Sequence, residues 1–218
     1  MPVTMDESWA DAPTNFTLSN GDLTVTMDVA PWRGIIATAG WSTGKYYWEV
    51  TVGNQANILS SYSQSIGICL TTHTKTSFMG SLNGFGYAGH PVLINNTGDI
   101  FRQNTQNDPI GPFTTYIEDD ILGFALDMDN NKLFLHLNGV YQNSGNPVAG
   151  TGAIYDSIPA GTWYPSCSLI AVASVVTYNF GAAGPSYSIP TGYTMPDYVP
   201  PVTIGVGGVS MKKVIIGG

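Results

Sequence analysis

The side chains most able to do acid–base chemistry are sparse in this sequence. Only three glutamates occur, Glu7, Glu49 and Glu118, and none stands close to a second carboxylate on one face of a predicted strand. A sandwich-fold glycan hydrolase needs a clustered pair of carboxylates as acid and nucleophile, and its strand signature of two glutamates flanking an aspartate is absent. We interpret Glu49 as an outward-facing strand carboxylate. The sequence also lacks a Gly-x-Ser-x-Gly elbow, a phosphate-binding glycine loop and paired histidines, so no catalytic residue is predicted.

Asp127, Asp129 and Asn131 have the spacing of the first three ligands of a calcium-binding loop. Such a loop needs a glycine at its sixth position and a bidentate glutamate at its twelfth. Lys132 and Asn138 stand at those two positions. We therefore interpret the acidic residues as a hairpin turn and predict no metal site.

The histidines and cysteines also lack the spacing of metal ligands. His136 is predicted to be a hydrogen-bonded strand residue on the face opposite a leucine stripe, whereas His73 and His90 lie in predicted loops and are candidates for contact with a partner. Cys69 and Cys167 stand in apolar segments, which favours buried free thiols, with a single disulfide as the alternative. No cofactor is predicted.

The elements that position these residues are clearest between residues 119 and 140. Apolar residues alternate with others on both sides of the acidic turn, which indicates two strands packed on a core. Asn138-Gly139 is the pair that best tolerates positive φ in a tight hairpin turn, so a third strand is predicted to follow. The predicted core residues are Leu122, Phe124, Leu126, Leu133, Leu135 and Leu137.

Further strands are predicted on both sides of this region. Asn20-Gly21 predicts a hairpin between a strand at 16–18 and a half-buried strand carrying Leu23, Val25 and Met27, and residues 34–38 are expected to continue that pairing. In 44–52, Tyr46, Trp48, Val50 and Val52 are predicted to face the core, with Tyr47, Glu49 and Thr51 on the other face. Residues 66–70, 163–170 and 175–180 complete the predicted strands.

Composition favours an all-β chain and restricts its partners. Of the 218 residues, 43% are hydrophobic and only 10% charged, and 26 are glycine, a mixture rich in turn and strand formers. The net charge of -8 and the seven basic residues, which are scattered singly except for Lys212-Lys213, give no surface for nucleic acid. Residues 1–10 contain no apolar run, so neither a signal peptide nor a membrane span is predicted, and synthesis in a cytoplasm is expected.

Three ordered segments resemble the SPRY domain family. The stretch at 121–139 reads Ile-Leu-Gly-Phe-Ala-Leu-Asp-Met-Asp and then Leu-Phe-Leu-His-Leu-Asn-Gly, similar to the central SPRY motif. Gly-Lys-Tyr-Tyr-Trp-Glu-Val at 44–50 precedes it, and Trp-Tyr-Pro-Ser at 163–166 with Tyr-Asn-Phe-Gly at 178–181 follows it. The resemblance covers roughly residues 15–192. It implies a two-sheet antiparallel sandwich whose loops bind other molecules without catalysis.

Candidate binding residues lie in the loops that this resemblance implies. The loops are predicted within 53–64, 71–90 and 95–112, where aromatic residues stand among adaptable polar ones. Phe85 and Tyr87 have the alternative of burial on a strand. The candidate binding residues are Tyr62, His73, Phe78, His90, Arg102 and Tyr141.

The chain is predicted to have an N-terminal arm at 1–14, the sandwich at 15–194 and a C-terminal tail at 195–218. The tail is too short to fold alone and too apolar to be a solvating tail. We expect it to add a strand to a neighbouring subunit or to another protein, and a final strand on its own domain is the alternative. Its predicted assembly residues are Val202, Ile204, Val206, Val214, Ile215 and Ile216.

Tyr-Ser-Ile-Pro-Thr-Gly-Tyr at 187–193 is similar to SPRY modules of bacteriophage virion proteins. The similarity implies a non-enzymatic, homo-oligomeric tail, fibre or capsid-surface component, attached through its C-terminal tail, whose loops bind other virion proteins, a host receptor or a glycan. One alternative is an intracellular peptide-binding adaptor. In such adaptors a tryptophan follows the Tyr-Pro segment, whereas residues 169–172 here read Leu-Ile-Ala-Val. The second alternative is a sandwich-fold glycan hydrolase.

Overall fold

The computed structural model describes residues 1–9, 15–29, 33–55, 64–70, 92–95, 98–102, 105–106, 113–169 and 171–201. Thirteen described strands form two antiparallel sheets, which confirms the predicted all-β, two-sheet sandwich. The strands are β1 Phe16–Ser19, β2 Thr24–Met27, β3 Arg33–Ile36, β4 Lys45–Val52, β5 Gln64–Leu70, β6 Val92–Asn95, β7 Ile100–Arg102, β8 Thr105–Gln106, β9 Ile121–Asp127, β10 Lys132–Leu137, β11 Val140–Tyr141, β12 Trp163–Leu169 and β13 Val175–Asn179. Short 3-10 helices lie at Glu7–Trp9 and Gln142–Ser144.

The first sheet has seven strands in the order β1-β2-β13-β4-β9-β10-β11, and the second has six in the order β3-β12-β5-β6-β7-β8. Alternate residues of both sheets meet in one core. Trp48 and Phe124 stack there with ring centroids 5.4 Å apart. The predicted core residues of β9 and β10, together with Val25, Met27, Val50 and Val52, are all buried in it.

The hairpins predicted from turn chemistry are confirmed. β1 pairs with β2 across the turn that contains Asn20 and Gly21, and β9 pairs with β10 across residues 128–131. Asn138 and Gly139 both have positive φ and join β10 to the short strand β11. Asparagine and glycine are the residues that adopt this conformation at least cost.

Two predictions about strand pairing are wrong. Residues 34–38 do not continue the N-terminal hairpin, because β3 lies in the other sheet and pairs with β12. Alternation indicates which face of a strand is buried but not which partner it takes. The 95–112 segment, predicted as a loop, contains β7 and β8, which extend the second sheet. Strands of two or three residues are too short to show alternation in the sequence.

Cys69 and Cys167 are buried free thiols, as predicted. They lie on the neighbouring strands β5 and β12, but Cys69 is opposite Tyr164 and Cys167 is opposite Ile66. Burial raises the pKa of each thiol to about 12. Both side chains therefore stay protonated and unreactive in the folded chain.

The outer face of the seven-stranded sheet is covered by residues 184–198, which we call the strap. Tyr47, Ala125 and Phe134 point away from the main core and are buried against Tyr193 and Met195 of the strap. The strap is also hydrogen-bonded to the backbone of β4, since Thr194 N donates to Lys45 O and Tyr47 N donates to Thr194 O, both at 2.9 Å.

The described N-terminal residues lie against the sandwich beside the strap. Val3 N donates to Asp197 Oδ2 at 2.9 Å, and Met5 pairs with Ala37 at the edge of β3. The chain therefore brings residues 3 and 197 together. The domain boundaries at residues 14 and 195 stay predictions.

Candidate functional site

A row of residues beneath the strap carries the chemically versatile groups of the first sheet. Asn179, Glu49, Gly123, His136 and Tyr141 are successive neighbours across β13, β4, β9, β10 and β11. Glu49 and His136 are each 1% exposed. All of them point to the strap side of the sheet, since they alternate with core residues along their strands.

Tyr47 links His136 to Glu49 in a buried hydrogen-bonded chain. Gly139 N donates to His136 Nδ1 at 3.0 Å, so in the neutral ring Nε2 carries the proton. Nε2 then donates to the Tyr47 hydroxyl at 2.8 Å, and that hydroxyl donates to Glu49 Oε1 at 2.9 Å. Burial lowers the pKa of His136 to about 4, although the Glu49 carboxylate acts in the opposite direction. The histidine is therefore neutral at pH 7, and its predicted role as a hydrogen-bonded strand residue is confirmed.

The carboxylate of Glu49 holds the strap in place. Oε1 also accepts from Tyr187 N at 2.8 Å, and Oε2 accepts from Ser186 N at 2.8 Å and from Asn179 Nδ2 at 3.1 Å. Four donors thus surround one buried carboxylate, which is how a buried charge is stabilised. Glu49 points away from the main core, as predicted, and its side chain is covered by the strap instead of water.

Gly123 makes room for this arrangement. A Cβ added at Gly123 would lie 1.9 Å from Nε2 of His136. The histidine ring is also packed by the rings of Tyr141 and Tyr187, which lie steeply inclined to it with centroids 5.3 Å and 5.1 Å away. Only glycine fits between Glu49 and His136.

The polar row is suited to fixing the strap and unsuited to catalysis. Its acid and base groups are saturated by internal hydrogen bonds, and burial, with Glu49 alongside, raises the pKa of the Tyr47 hydroxyl well above 10. A substrate would have to displace the strap to reach them. Among the described residues, no group of three His, Cys, Asp or Glu side chains is placed to hold a metal ion.

The acidic residues at 127–131 form the predicted hairpin turn. Asp127 is buried and pairs with Lys45 at 2.8 Å, and its carboxylate also accepts from the backbone and side chain of Asn130. Burial acts to raise the pKa of Asp127, but the bonds from Lys45 and Asn130 outweigh it and lower the pKa below 3.8. Asp129 accepts from Gly44 N at 2.7 Å. Both aspartates therefore connect the turn to the start of β4.

The two ends of the sandwich differ in their exposed side chains. We call the end where β4 begins the Lys45 end and the end where it finishes the Val52 end. At the Val52 end, Ala173 N donates to Met27 O, Val175 N donates to Asn54 O, and Val52 N donates to Asp120 O. Asn138, beside Val140, continues the series through its side-chain bond to Asp120. Residues from five connections, those after β2, after β4, before β9, between β10 and β11, and before β13, thus lie side by side there.

This end carries most of the exposed aliphatic residues in the described part of the chain. Among all described residues, seven large hydrophobic side chains are exposed. Four of the seven lie at the Val52 end, with exposed fractions of 47% to 68%. These four are Val29, Ile117, Val140 and Val172. The carboxylates of Glu118 and Asp119 are exposed next to Ile117. Exposed apolar groups bordered by charge are typical of a binding surface.

The structure describes few of the predicted binding residues. Tyr62, His73, Phe78, His90 and the tail residues Val202, Ile204, Val206, Val214, Ile215 and Ile216 lie outside the described residues. Arg102 is in β7, where only its backbone is described. Tyr141 packs its ring on His136, and burial raises the pKa of its hydroxyl to about 12. Arg102 lies in the six-stranded sheet and Tyr141 in the seven-stranded sheet, and the predicted binding roles stay predictions.

Sequence reasoning missed the exposed aliphatic residues of the Val52 end. Val29, Val140 and Val172 are small hydrophobic residues in or beside strands, which is also what buried positions look like. Ile117 follows the buried Tyr116. The sequence offered one signal. If the alternation of β10 is continued into 140–141, Val140 and Tyr141 fall on opposite faces of the strand.

Comparison with known proteins supports the fold and no more. No protein-family model matches the chain, and no curated protein matches its sequence. The SPRY domain of human HERC1 has a similar structure, with a TM-score of 0.63 at 14% identity over 80% of this chain and 96% of that one. The TRIM65 PSpry domain gives a TM-score of 0.57 at 14% identity, covering 82% and 92%. The chain thus has the fold of SPRY domains, while the bacteriophage branch of the resemblance stays a prediction.

Among the described residues, no helix is both long and apolar enough to cross a membrane.

Proposed function

We propose that this chain is a non-enzymatic binding module and that its partner is a protein that docks at the Val52 end. The observation that carries the proposal is the concentration of exposed aliphatic residues there, at Val29, Ile117, Val140 and Val172. Val29, Ile117 and Val172 lie on connections that backbone hydrogen bonds fix to their neighbours, and Val140 lies on β11, which pairs with β10. A preformed apolar surface of this kind loses little conformational entropy when a partner docks.

The charge of the surface indicates what kind of partner it fits. Glu118 and Asp119 lie exposed beside Ile117, and Asp28 is exposed beside Val29. A partner with apolar side chains flanked by lysine or arginine would match both features. Catalysis is not supported, because Glu49, Tyr47 and His136, the groups best suited to acid–base chemistry, are buried under the strap with their hydrogen bonds satisfied.

A random peptide library tests this proposal without a known partner. Peptides selected on the immobilised protein should be rich in apolar and basic residues, and their binding should fall at least tenfold in Ile117→Arg and Val172→Arg. Val148→Arg is the matched control, because Val148 is equally exposed but lies in the 146–151 turn away from the Val52 end. Selected peptides that bind all three variants as well as the parent protein would show that the Val52 end is not the binding surface.

We further propose that the module works in a bacteriophage particle, attached through the segment after Pro201, with a receptor protein of the host or another virion protein as its partner. The Tyr-Ser-Ile-Pro-Thr-Gly-Tyr segment of the strap supports this proposal. Mass spectrometry of purified particles should detect the full chain, and the variant Lys212→Glu/Lys213→Glu should be lost from them. Equal incorporation of the parent and the variant would contradict attachment through this segment.

An intracellular peptide-binding adaptor is the competing proposal, and the fold shared with the HERC1 and TRIM65 domains is compatible with it. The two proposals differ in where the protein is found. An adaptor would be absent from purified particles and would bind peptides selected from cytoplasmic proteins.

A further inference from the structure

We propose that copies of this chain assemble head to tail, with residues 202–218 of one copy docked on the Val52 end of the next. The inference names the partner of the Val52 end and so rests on the proposed function. It follows from three observations: the chemistry of the acceptor surface, the chemistry of the tail, and the place where the tail leaves the domain.

The tail has the chemistry that the acceptor surface fits. Its segment Val209 to Ile216 reads Val-Ser-Met-Lys-Lys-Val-Ile-Ile, in which the pair Lys212-Lys213 is flanked by apolar residues. This is the one place in the sequence where two of the seven basic residues are adjacent. The Val52 end carries the opposite charge beside similar apolar groups. Glu118 and Asp119 are exposed there together with Ile117 and Val140. Opposite charges beside matching apolar groups fix both the position and the direction of a docked segment.

The tail leaves the domain at the end opposite to this surface. Thr194 is bonded to Lys45, and Asp197 N donates to the backbone oxygen of Phe180, the residue that follows β13. Both contacts lie at the Lys45 end. Val199, Pro200 and Pro201 are exposed, and two successive prolines favour an extended chain that does not turn back at once. The described chain therefore ends, at Pro201, on the side of the Lys45 end.

The lengths suit contact between copies. Residues 202–208 separate Pro201 from the basic segment, and these seven residues span about 23 Å when extended at ~3.3 Å each. That spacer is enough to carry the basic segment across to a neighbouring sandwich. A contact between two different surfaces is heterologous, so repetition gives a ring if the rotation closes and a filament if it does not.

Charge reversal tests this assembly in the full chain. The acceptor variant is Glu118→Lys/Asp119→Lys, at two exposed positions, and the tail variant is Lys212→Glu/Lys213→Glu. Light scattering behind size-exclusion chromatography should show oligomers of the parent protein that depend on its concentration. Each variant alone should be monomeric, with its dissociation constant raised by roughly tenfold or more.

Mixing the two variants restores both kinds of contact, because the basic tail of one meets the acidic surface of the other and the reversed pair is again complementary. An equimolar mixture should therefore assemble as the parent does. A matched control, Asp22→Lys/Asp156→Lys, reverses two exposed carboxylates outside the Val52 end and should leave assembly unchanged.

Three outcomes would overturn head-to-tail assembly: a monomeric parent protein at every concentration, variants that assemble alone as the parent does, or a mixture that stays monomeric. A monomeric parent in which Lys212 cross-links to Glu118 of the same chain would show that the tail occupies its own Val52 end. Peptide selection on the tail variant separates the two proposals. Peptides that bind Ile117 and Val172 without any assembly would leave the proposed function intact and remove only this inference.

Discussion

Replacing Gly123 by alanine tests whether the buried row beneath the strap is fixed by steric fit. The new methyl carbon would lie 1.9 Å from Nε2, 2.3 Å from Cε1 and 2.5 Å from Cδ2 of His136. The ring has no room to retreat, since Tyr141 and Tyr187 pack against it and Gly139 N is bonded to its Nδ1. The histidine must therefore leave its site.

The cost of Gly123→Ala follows from what is lost. Breaking the hydrogen bonds of His136 to Tyr47 and Gly139 removes ~1 kcal/mol each, and the displaced packing costs a further ~1–3 kcal/mol. Alanine recovers up to ~1 kcal/mol of backbone entropy relative to glycine in a strand. The free energy of unfolding should thus fall by about 3 kcal/mol, which for a chain of this size lowers Tm by roughly 6–12 °C.

Urea denaturation at pH 7 measures this change in the free energy of unfolding, and two further variants serve as controls. Gly21→Ala introduces no contact within 4 Å but has a φ of +65°, so it should cost only ~1–2 kcal/mol through backbone strain. The double variant Gly123→Ala/His136→Ala removes the ring that the methyl group strikes. It should therefore be less destabilised than the sum of the two single variants. A Gly123→Ala protein within ~1 kcal/mol of the parent, or strictly additive variants, would refute the steric argument.

Three further predictions concern buried groups. Glu49→Gln should lower the free energy of unfolding by ~3 kcal/mol and speed amide hydrogen exchange in residues 184–198, because a neutral amide cannot accept as well from Ser186 N and Tyr187 N. The control Glu118→Gln, on an exposed side chain, should change the free energy of unfolding by less than ~0.5 kcal/mol, and equal effects of the two variants would contradict the role of Glu49. Because the pKa of His136 is lowered to about 4, the unfolded chain binds a proton near pH 6.5 and the folded chain only near pH 4. The contribution of His136 to the free energy of unfolding is therefore intact above pH 6.5, and up to ~3 kcal/mol is lost as the pH falls to 4. His136→Gln should flatten the stability–pH curve in this window, and an unchanged slope would show that other groups cause it. Cys69 and Cys167 should resist a thiol reagent at pH 8 until the protein unfolds and then both react; rapid labelling of the native protein would show that they are not buried.

The strands that sequence analysis identified are the ones whose pattern repeats over several residues. β9 and β10 each carry three alternating core residues beside turns of asparagine, aspartate and glycine, and the pattern and the turn chemistry agree there. β7 and β8 are too short to repeat. The placement of β3 against β12 depends on a contact between residues more than 120 positions apart, which no local pattern encodes.

Glu49 shows why the candidate site was harder to predict than the fold. A carboxylate alternating with core residues on a strand normally faces water. Here the residues that cover it, Ser186 and Tyr187, come from the strap almost 140 positions later, and their sequence indicates only an extended segment. The aliphatic residues of the Val52 end pose the opposite problem. Their types suggest burial, whereas in the folded chain Val140 is 68% exposed and Val172 is 50% exposed.

The hydrogen bond between Val3 and Asp197 has a consequence for how this sandwich combines with other proteins. It brings two points 194 residues apart in the chain to within 2.9 Å. A unit whose two junctions lie side by side can be placed within a loop of a host protein without forcing the flanking host segments apart. By the same geometry, a short linker between residues 3 and 197 would allow the chain to be reopened in the exposed 146–151 turn as a circular permutant that keeps both sheets.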